Sequence, residues 1–312
     1  MELAEQERLQ TTDVQSDVGP PNLESFSTVA VGKEGYEAAV LMYSIRQYSD
    51  KPIFLFADEA ALNLLVKRLP SGVEVTEVPS EVLKERRKEF PENLSEVWNR
   101  GKELSSLFPP EILSLKMDAM LKAIKRAGNT LFVDADIVFT GPVSCNFTTP
   151  LVLSPHFEDV TSIGGEYNAG YVYSSSDEFP YHWKQKFEDD SSFFEQECMT
   201  RFPFNFDTRT FGKSHNVGLW RTRLLDPRRS PQMHMKELGI KSLSDVTIEG
   251  GKLVSFHLHL RPRVLQRDPS YNIVNVFYEA MKRSANEKHK ELLRFINNEY
   301  IPDAFMYGLG ED

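Results

Sequence analysis

The chain has 312 residues, 40% of them hydrophobic and 26% charged, with a formal net charge of -10. Those proportions exclude global disorder, and no apolar run approaches the roughly 18 residues that a membrane-spanning helix needs. The negative balance is the opposite of what a protein that neutralises nucleic-acid phosphates carries.

This length suits one large α/β domain or two ordinary ones. The two cysteines, Cys145 and Cys198, cannot build a disulfide scaffold or a four-cysteine metal site. They fit a reducing, cytoplasmic setting. Residues 1–25 hold six acids against one base. They lack the apolar core of a signal peptide and the arginine-rich pattern of a transit peptide. We expect a disordered acidic tail there and one folded domain over 26–312, with no internal boundary.

From residue 26 the pattern alternates between two periods. Residues 26–31 read as a strand that ends at Gly32, and 36–48 as a helix with an apolar face. Strands are expected at 53–56 and 73–78, with a helix at 60–69 stopped by Pro70. The charged stretch 81–103 reads as a helical excursion. Pro109-Pro110 opens a helix in which Leu113, Met117, Met120, Leu121 and Ile124 recur at helical spacing, and Gly128 suits its C-terminal stop. Strands alternating with helices imply a mostly parallel, Rossmann-like sheet. The second half is less regular and rich in aromatics, with closing helices expected at 273–282 and 285–296.

A buried-type strand at 131–133 leads directly into Asp134-Ala135-Asp136. Ligands of open α/β sheets bind outside the carboxyl ends of the strands. In extended chain, residues two apart point the same way, so these carboxylates would share one side. Such a pair suits Mg²⁺ or Mn²⁺ completed by substrate phosphates. Lys116, eighteen positions earlier, lies about 60° from Leu113 on the helical wheel. It is placed either to neutralise a phosphate or to lie along apolar surface. In 252–260, residues Val254, Phe256 and Leu258 would face one side of a strand, and Ser255, His257 and His259 the other. Neutral imidazole is a suitable third ligand for Mn²⁺.

Leu131-Phe-Val-Asp-Ala-Asp-Ile-Val resembles the metal motif of GT-A-fold glycosyltransferases, most closely family 8 (glycogenin-like). The likeness runs from about residue 27 to 262 as short motifs in order. It implies a nucleotide-binding half at about 26–145, a sugar and acceptor half at 146–265 and C-terminal helices at 270–300. It also implies a nucleoside-diphosphate-sugar donor, UDP-linked by preference, and a carbohydrate, lipid-linked or protein acceptor. By resemblance, Asp134, Asp136 and His257 hold the metal, with His259 as the reserve. Gly32 and Tyr36 lie beside the nucleobase, while Lys116 and Arg261 contact phosphates. Tyr167-Asn168-Ala169-Gly170 matches the Asn-Ala-Gly motif, with Asn168 on sugar hydroxyls and Ala169 and Gly170 admitting the ring. Ala135 lines the donor. Glu195-Gln196 stands where the family has an Asp-led dyad near the reactive carbon. His215-Asn216-Val217-Gly218, Trp183 and the aromatics of 202–211 could line an acceptor site.

A second chemistry also fits the acidic pair. In haloacid-dehalogenase-type phosphatases the first Asp is a nucleophile and the second a general acid, and Glu188-Asp189-Asp190 could serve as the later acidic motif. A non-catalytic sugar- or nucleotide-binding module on the same fold is the third reading. Dinucleotide, P-loop and serine-hydrolase fingerprints are absent.

Overall fold

The computed structural model describes residues 22–32, 34–66, 68–79, 110–143, 147–156, 166–189, 195–201, 206–218, 231–237, 239–248, 250–257 and 272–297. The expected excursion at 81–103, His259 and Arg261 lie outside them. Residues 22–25, expected in the tail, are already docked. Leu23 is buried, Asn22 Nδ2 donates to the Phe147 carbonyl at 2.7 Å, and Ser25 Oγ donates to the Asn129 carbonyl at 2.6 Å.

In chain order the first half runs β1 (Phe26–Ala30), α1 (Glu34–Arg46), β2 (Ile53–Asp58), α2 (Glu59–Leu65), β3 (Val73–Val78), α3 (Pro110–Ala127), β4 (Thr130–Val133) and β5 (Ile137–Phe139). The second half runs β6 (Leu151–Pro155), β7 (Tyr167–Ser174), α4 (Glu178–Asp189), α5 (Glu195–Arg201), β8 (Thr208–Thr210) and α6 (Pro231–Glu237). Then come β9 (Thr247–Ile248), β10 (Gly251–Lys252), β11 (Ser255–His257), α7 (Asn272–Lys282) and α8 (Glu287–Phe295).

Seven strands form the central sheet in the order β3-β2-β1-β4-β7-β6-β8. Only β7 runs against its neighbours; β3, β2, β1 and β4 are parallel, as are β6 and β8. This is the mostly parallel α/β sheet flanked by helices that the alternating periods predict. β1, β2 and β4 are buried along their whole length, because helices cover both faces. Along β4, Leu131 and Val133 join the core under α1, whereas Phe132 joins the core under α3 and α4. That alternation is the strand period of two acting on two apolar layers.

α3 stops where glycine allows it to. Gly128 adopts φ 92 and its N–H donates to the Ile124 carbonyl at 2.7 Å. The loops at the carboxyl ends of β1 and β2 are joined by Asp58. Its Oδ1 accepts from Ala61 N, capping α2, and from Gly32 N at 2.8 Å.

β5 leaves the main sheet and pairs antiparallel with β11, Ile137 opposite His257 and Val138 opposite Phe256. Helices hold this small ribbon from behind. Ser44 Oγ of α1 accepts from Phe139 N. The Thr140 carbonyl meets Tyr48 Oη and His289 Nε2, both at 2.8 Å.

Candidate metal centre

The acidic pair sits at the carboxyl end of β4, beside the point where the sheet changes from parallel to antiparallel. Asp134 N–H donates to the Gly170 carbonyl at 2.9 Å, and Ile137 N–H returns to the Asp134 carbonyl at 3.2 Å. Residues 135 and 136 therefore form a turn. The two carboxylates converge because the chain folds back, not by the same-side alternation of extended chain that the dipeptide spacing suggested.

Pairing of β5 with β11 then sets His257 beside Asp136, with Nε2 3.5 Å from Oδ1. One oxygen from each of Asp134 and Asp136 and one ring nitrogen of His257 lie within 4.8 Å of one another. His257 is only 2% exposed. β11 is buried on both sides, between β5 and the segment at Val217, so His257 is no surface residue. Burial suits a ligand, since it restricts the ring and leaves water fewer approaches.

Lys116 projects from α3 into the same place. Its Nζ lies 2.9 Å from Asp134 Oδ1 and 2.8 Å from Glu195 Oε1, and 5.8 Å from the centre of the Phe132 ring. Burial alone would push this ammonium down. The attraction of Asp134 and Glu195, with hydrogen bonds to both, outweighs burial and holds it above its ordinary range. Burial pushes the Asp134 carboxyl up, aided by the nearby Asp136 charge and opposed by Lys116.

Glu195 starts α5 and is buried. Its backbone is held by Trp183, whose Nε1 donates to the Glu195 carbonyl at 2.8 Å. Trp183 and Phe211 are core residues, so neither lines an acceptor surface as the aromatic content suggested. Trp183 instead fixes where Glu195 stands. Gln196 follows, half-buried, on the same turn.

The Asn168-Ala169-Gly170 segment occupies an irregular stretch of β7. The register with β6 jumps there, from Leu153 opposite Val172 to Ser154 opposite Asn168. A Cβ on Gly170 would fall 2.2 Å from Asp134 Oδ2 and 3.0 Å from Asn168 Oδ1. The glycine was expected to admit a sugar ring. Close approach is indeed its role, but what approaches is the Asp134 carboxylate. Asn168 Oδ1 accepts from Gly170 N at 3.0 Å and from Asn216 Nδ2 at 3.1 Å. Its Nδ2 faces His156 Nε2 at 3.4 Å. Ala135 and Ala169 are both buried beside these groups. Gly32 adopts φ 60 at the end of β1, and Tyr36 stands 37% exposed on the first turn of α1.

Glu34, at the start of α1, is an acid that the motifs did not flag. Its Oε2 accepts from Val31 N at 3.1 Å. Its pKa is pushed up to about 7, by desolvation first and then by the Asp136 and Asp134 charges. The residue keeps an exposed outer surface, so solvent screens part of this effect. The sign is still defined. Between about pH 4.5 and about 7 the folded chain keeps a proton that the unfolded chain has released. Stability from this group therefore falls as pH rises through that window and is flat above it. Glu34→Gln keeps an acceptor for Val31 N and removes the titration. In EDTA, the melting temperature of wild type minus that of Glu34→Gln should be more positive at about pH 5 than at about pH 7.5. A difference independent of pH would show that the Glu34 carboxyl is not raised in the folded chain.

Two cavities lie near the sheet. One of about 460 Å³ opens between Phe26, Tyr48, Pro52, Phe139 and Pro142, at the amino ends of the strands and away from the metal group. The other, of about 640 Å³, is lined by Phe56, Val78, Leu115, Asp118 and Lys184, at the carboxyl ends of β2 and β3.

No family model and no curated protein matches this chain. Among solved structures, the apo structure of the bifunctional glycosyltransferase WbbM aligns with TM-score 0.45 and 11% identity, over 90% of this chain and 53% of that one. This chain therefore spans about half of that protein. No helix among the described residues is long and apolar enough to cross a membrane.

Proposed function

We propose that the chain is a metal-dependent glycosyltransferase of GT-A type, moving a sugar from a nucleoside-diphosphate sugar, UDP-linked by preference, to an acceptor. The observation that carries this reading is the convergence of Asp134, Asp136 and His257 at the carboxyl edge of a mostly parallel sheet. Two carboxylate oxygens and an imidazole nitrogen suit Mn²⁺ or Mg²⁺. A divalent ion held there would neutralise the diphosphate as the glycosidic bond breaks.

The remaining roles belong to side chains. Lys116, anchored between Asp134 and Glu195, supplies a fixed positive charge beside the phosphates. Glu195, held by that lysine and by Trp183, and Gln196 beside it face the reactive carbon of the sugar. Asn168 presents its amide to sugar hydroxyls. Gly32 and Tyr36 border the nucleobase, and Arg261 anchors the diphosphate. Same-face displacement with retention is the stereochemistry that the motif order favours.

The phosphatase alternative needs a second acidic motif near Asp134. Glu188 instead lies 4.0 Å from Lys184 on α4, and neither it nor the exposed Asp189 belongs to the Asp134 group, while Asp190 lies outside the described residues.

Calorimetric titration of UDP with Mn²⁺ and with EDTA tests the reading. Binding should be at least tenfold tighter with Mn²⁺, because phosphate oxygens complete the metal's shell. Equal affinity in both conditions would rule out a metal bridge. Turnover of simple phosphomonoesters, abolished by Asp134→Asn, would establish the phosphatase instead.

The histidines can also be separated. His257→Ala should raise the Mn²⁺ concentration needed for donor hydrolysis at least tenfold, about 1.4 kcal/mol, and His259→Ala far less. The reverse order of effects would transfer the ligand role to His259.

A further inference from the structure

Asn216 is the only non-glycine with positive φ among the described residues, at 51, and it is fully buried. The left-handed region is unfavourable for an ordinary L-residue, and asparagine is one of the few that visit it. Its side-chain Oδ1 is buried with no hydrogen-bond partner among the described residues, a further cost. A glycine would remove both penalties. The asparagine amide, in return, makes bonds that a glycine could not.

What it does is visible in its bonds. Nδ2 donates to Ser154 Oγ at 2.8 Å and to Asn168 Oδ1 at 3.1 Å. This amide orientation is required, because Asn168 Oδ1 already accepts from Gly170 N and must be an oxygen. The backbone N–H of Asn216 donates to Ser255 Oγ at 2.9 Å. Val217 continues the join: its N–H donates to the Ser255 carbonyl, and its carbonyl accepts from His257 N–H, both at 3.0 Å.

The side chain of Asn216 thus grips the strand whose Gly170 cradles Asp134, while its backbone and that of Val217 grip the strand that carries His257. We propose that Asn216 is a positioning residue for the metal group, holding the His257 strand in register with Asp134. This deepens the metal-dependent reading above and rests on it. The residue touches neither ligand directly; it acts through Asn168, Ser255 and Val217.

Three variants test the idea. Asn216→Gly keeps the left-handed backbone and removes the amide. Asn216→Asp keeps the shape and replaces the donor to Asn168 with a second acceptor. Ser154→Ala removes the other partner of Nδ2 and leaves the link between strands intact. Mn²⁺ affinity is read by electron paramagnetic resonance of the free ion, histidine ligation by nitrogen modulation of the bound-ion signal, and folding by melting temperature.

Partners that orient metal ligands typically change affinity by about 10–100-fold. We expect Asn216→Gly and Asn216→Asp to weaken Mn²⁺ binding by that amount and to reduce the histidine nitrogen signal, while both remain folded. Ser154→Ala should lower the melting temperature without changing Mn²⁺ affinity. Wild-type affinity and nitrogen signal in folded Asn216→Gly would overturn the proposal. So would an equal loss of affinity in Ser154→Ala, which would mark general loosening. Absence of Mn²⁺ binding by wild type would overturn the metal reading itself, and this proposal with it.

Discussion

Lys116→Met should destabilise the metal-free protein by about 3 kcal/mol, the lower end of what losing one member of a buried ion pair costs. Methionine reproduces the apolar stem of lysine up to its last carbon. What it cannot replace is the ammonium between Asp134 Oδ1 and Glu195 Oε1. Glu195 is 6% exposed at its side chain, so its charge would be left with little solvent to screen it. Acids would then dominate the cleft, with Glu34, Asp134, Asp136 and Glu195 all interacting there. Chemical denaturation in EDTA reads the loss directly. Saturating Mn²⁺ should narrow the gap between variant and wild type, because an ion at Asp134 and Asp136 supplies part of the missing positive charge. A gap below about 0.5 kcal/mol in EDTA would show that the cleft does not depend on this lysine. A gap unchanged by Mn²⁺ would separate the lysine from the metal group.

Asp134→Asn should abolish the advantage that Mn²⁺ confers on UDP binding and lower donor hydrolysis at least about hundredfold, some 2.7 kcal/mol. The substitution keeps the shape that fits against Gly170 and leaves the backbone bond to the Gly170 carbonyl intact. It removes the charge on which both Lys116 and a divalent ion depend. The effect should exceed that of His257→Ala, because a neutral imidazole contributes less to holding a hard cation than a carboxylate does. Titration of UDP with Mn²⁺ and with EDTA reads the first effect, and product release from the nucleotide sugar reads the second. If Asp134→Asn keeps the Mn²⁺ advantage within about twofold, Asp134 is excluded as a ligand.

Much of the fold was legible because it is written in local periods. The parallel half of the sheet follows from strand-like runs at 26–31, 53–56 and 131–133, each followed or preceded by helical spacing, and the strands form at 26–30, 53–58 and 130–133. The end of α3 at Gly128 follows from one residue that tolerates a left-handed backbone. The site's place follows from two acids after a buried strand, since the carboxyl ends of parallel strands are where chain leaves the sheet and side chains are free to meet a ligand.

The remainder depends on contacts between residues far apart in the chain, for which no local period exists. His257 reads as one of two histidines on the same strand face; pairing with Ile137, 120 positions earlier, is what buries it beside Asp136. Trp183 reads as a sugar platform and proves to be the peg that holds the Glu195 carbonyl. Gly170 signals a close approach in the sequence, but only the fold shows that the Asp134 carboxylate fills the space. Glu34 carries no motif at all, and its raised pKa arises from the burial that the fold imposes, with the Asp136 and Asp134 charges adding to it. By itself the sequence determined the helices and strands of the first half, the closing helices and the edge of the sheet that carries chemistry, because spacing along the chain encodes which faces must be buried. Tertiary structure decided which distant polar groups meet, because hydrogen bonds and ion pairs depend on distances of about 2.7–3.5 Å that no sequence spacing specifies.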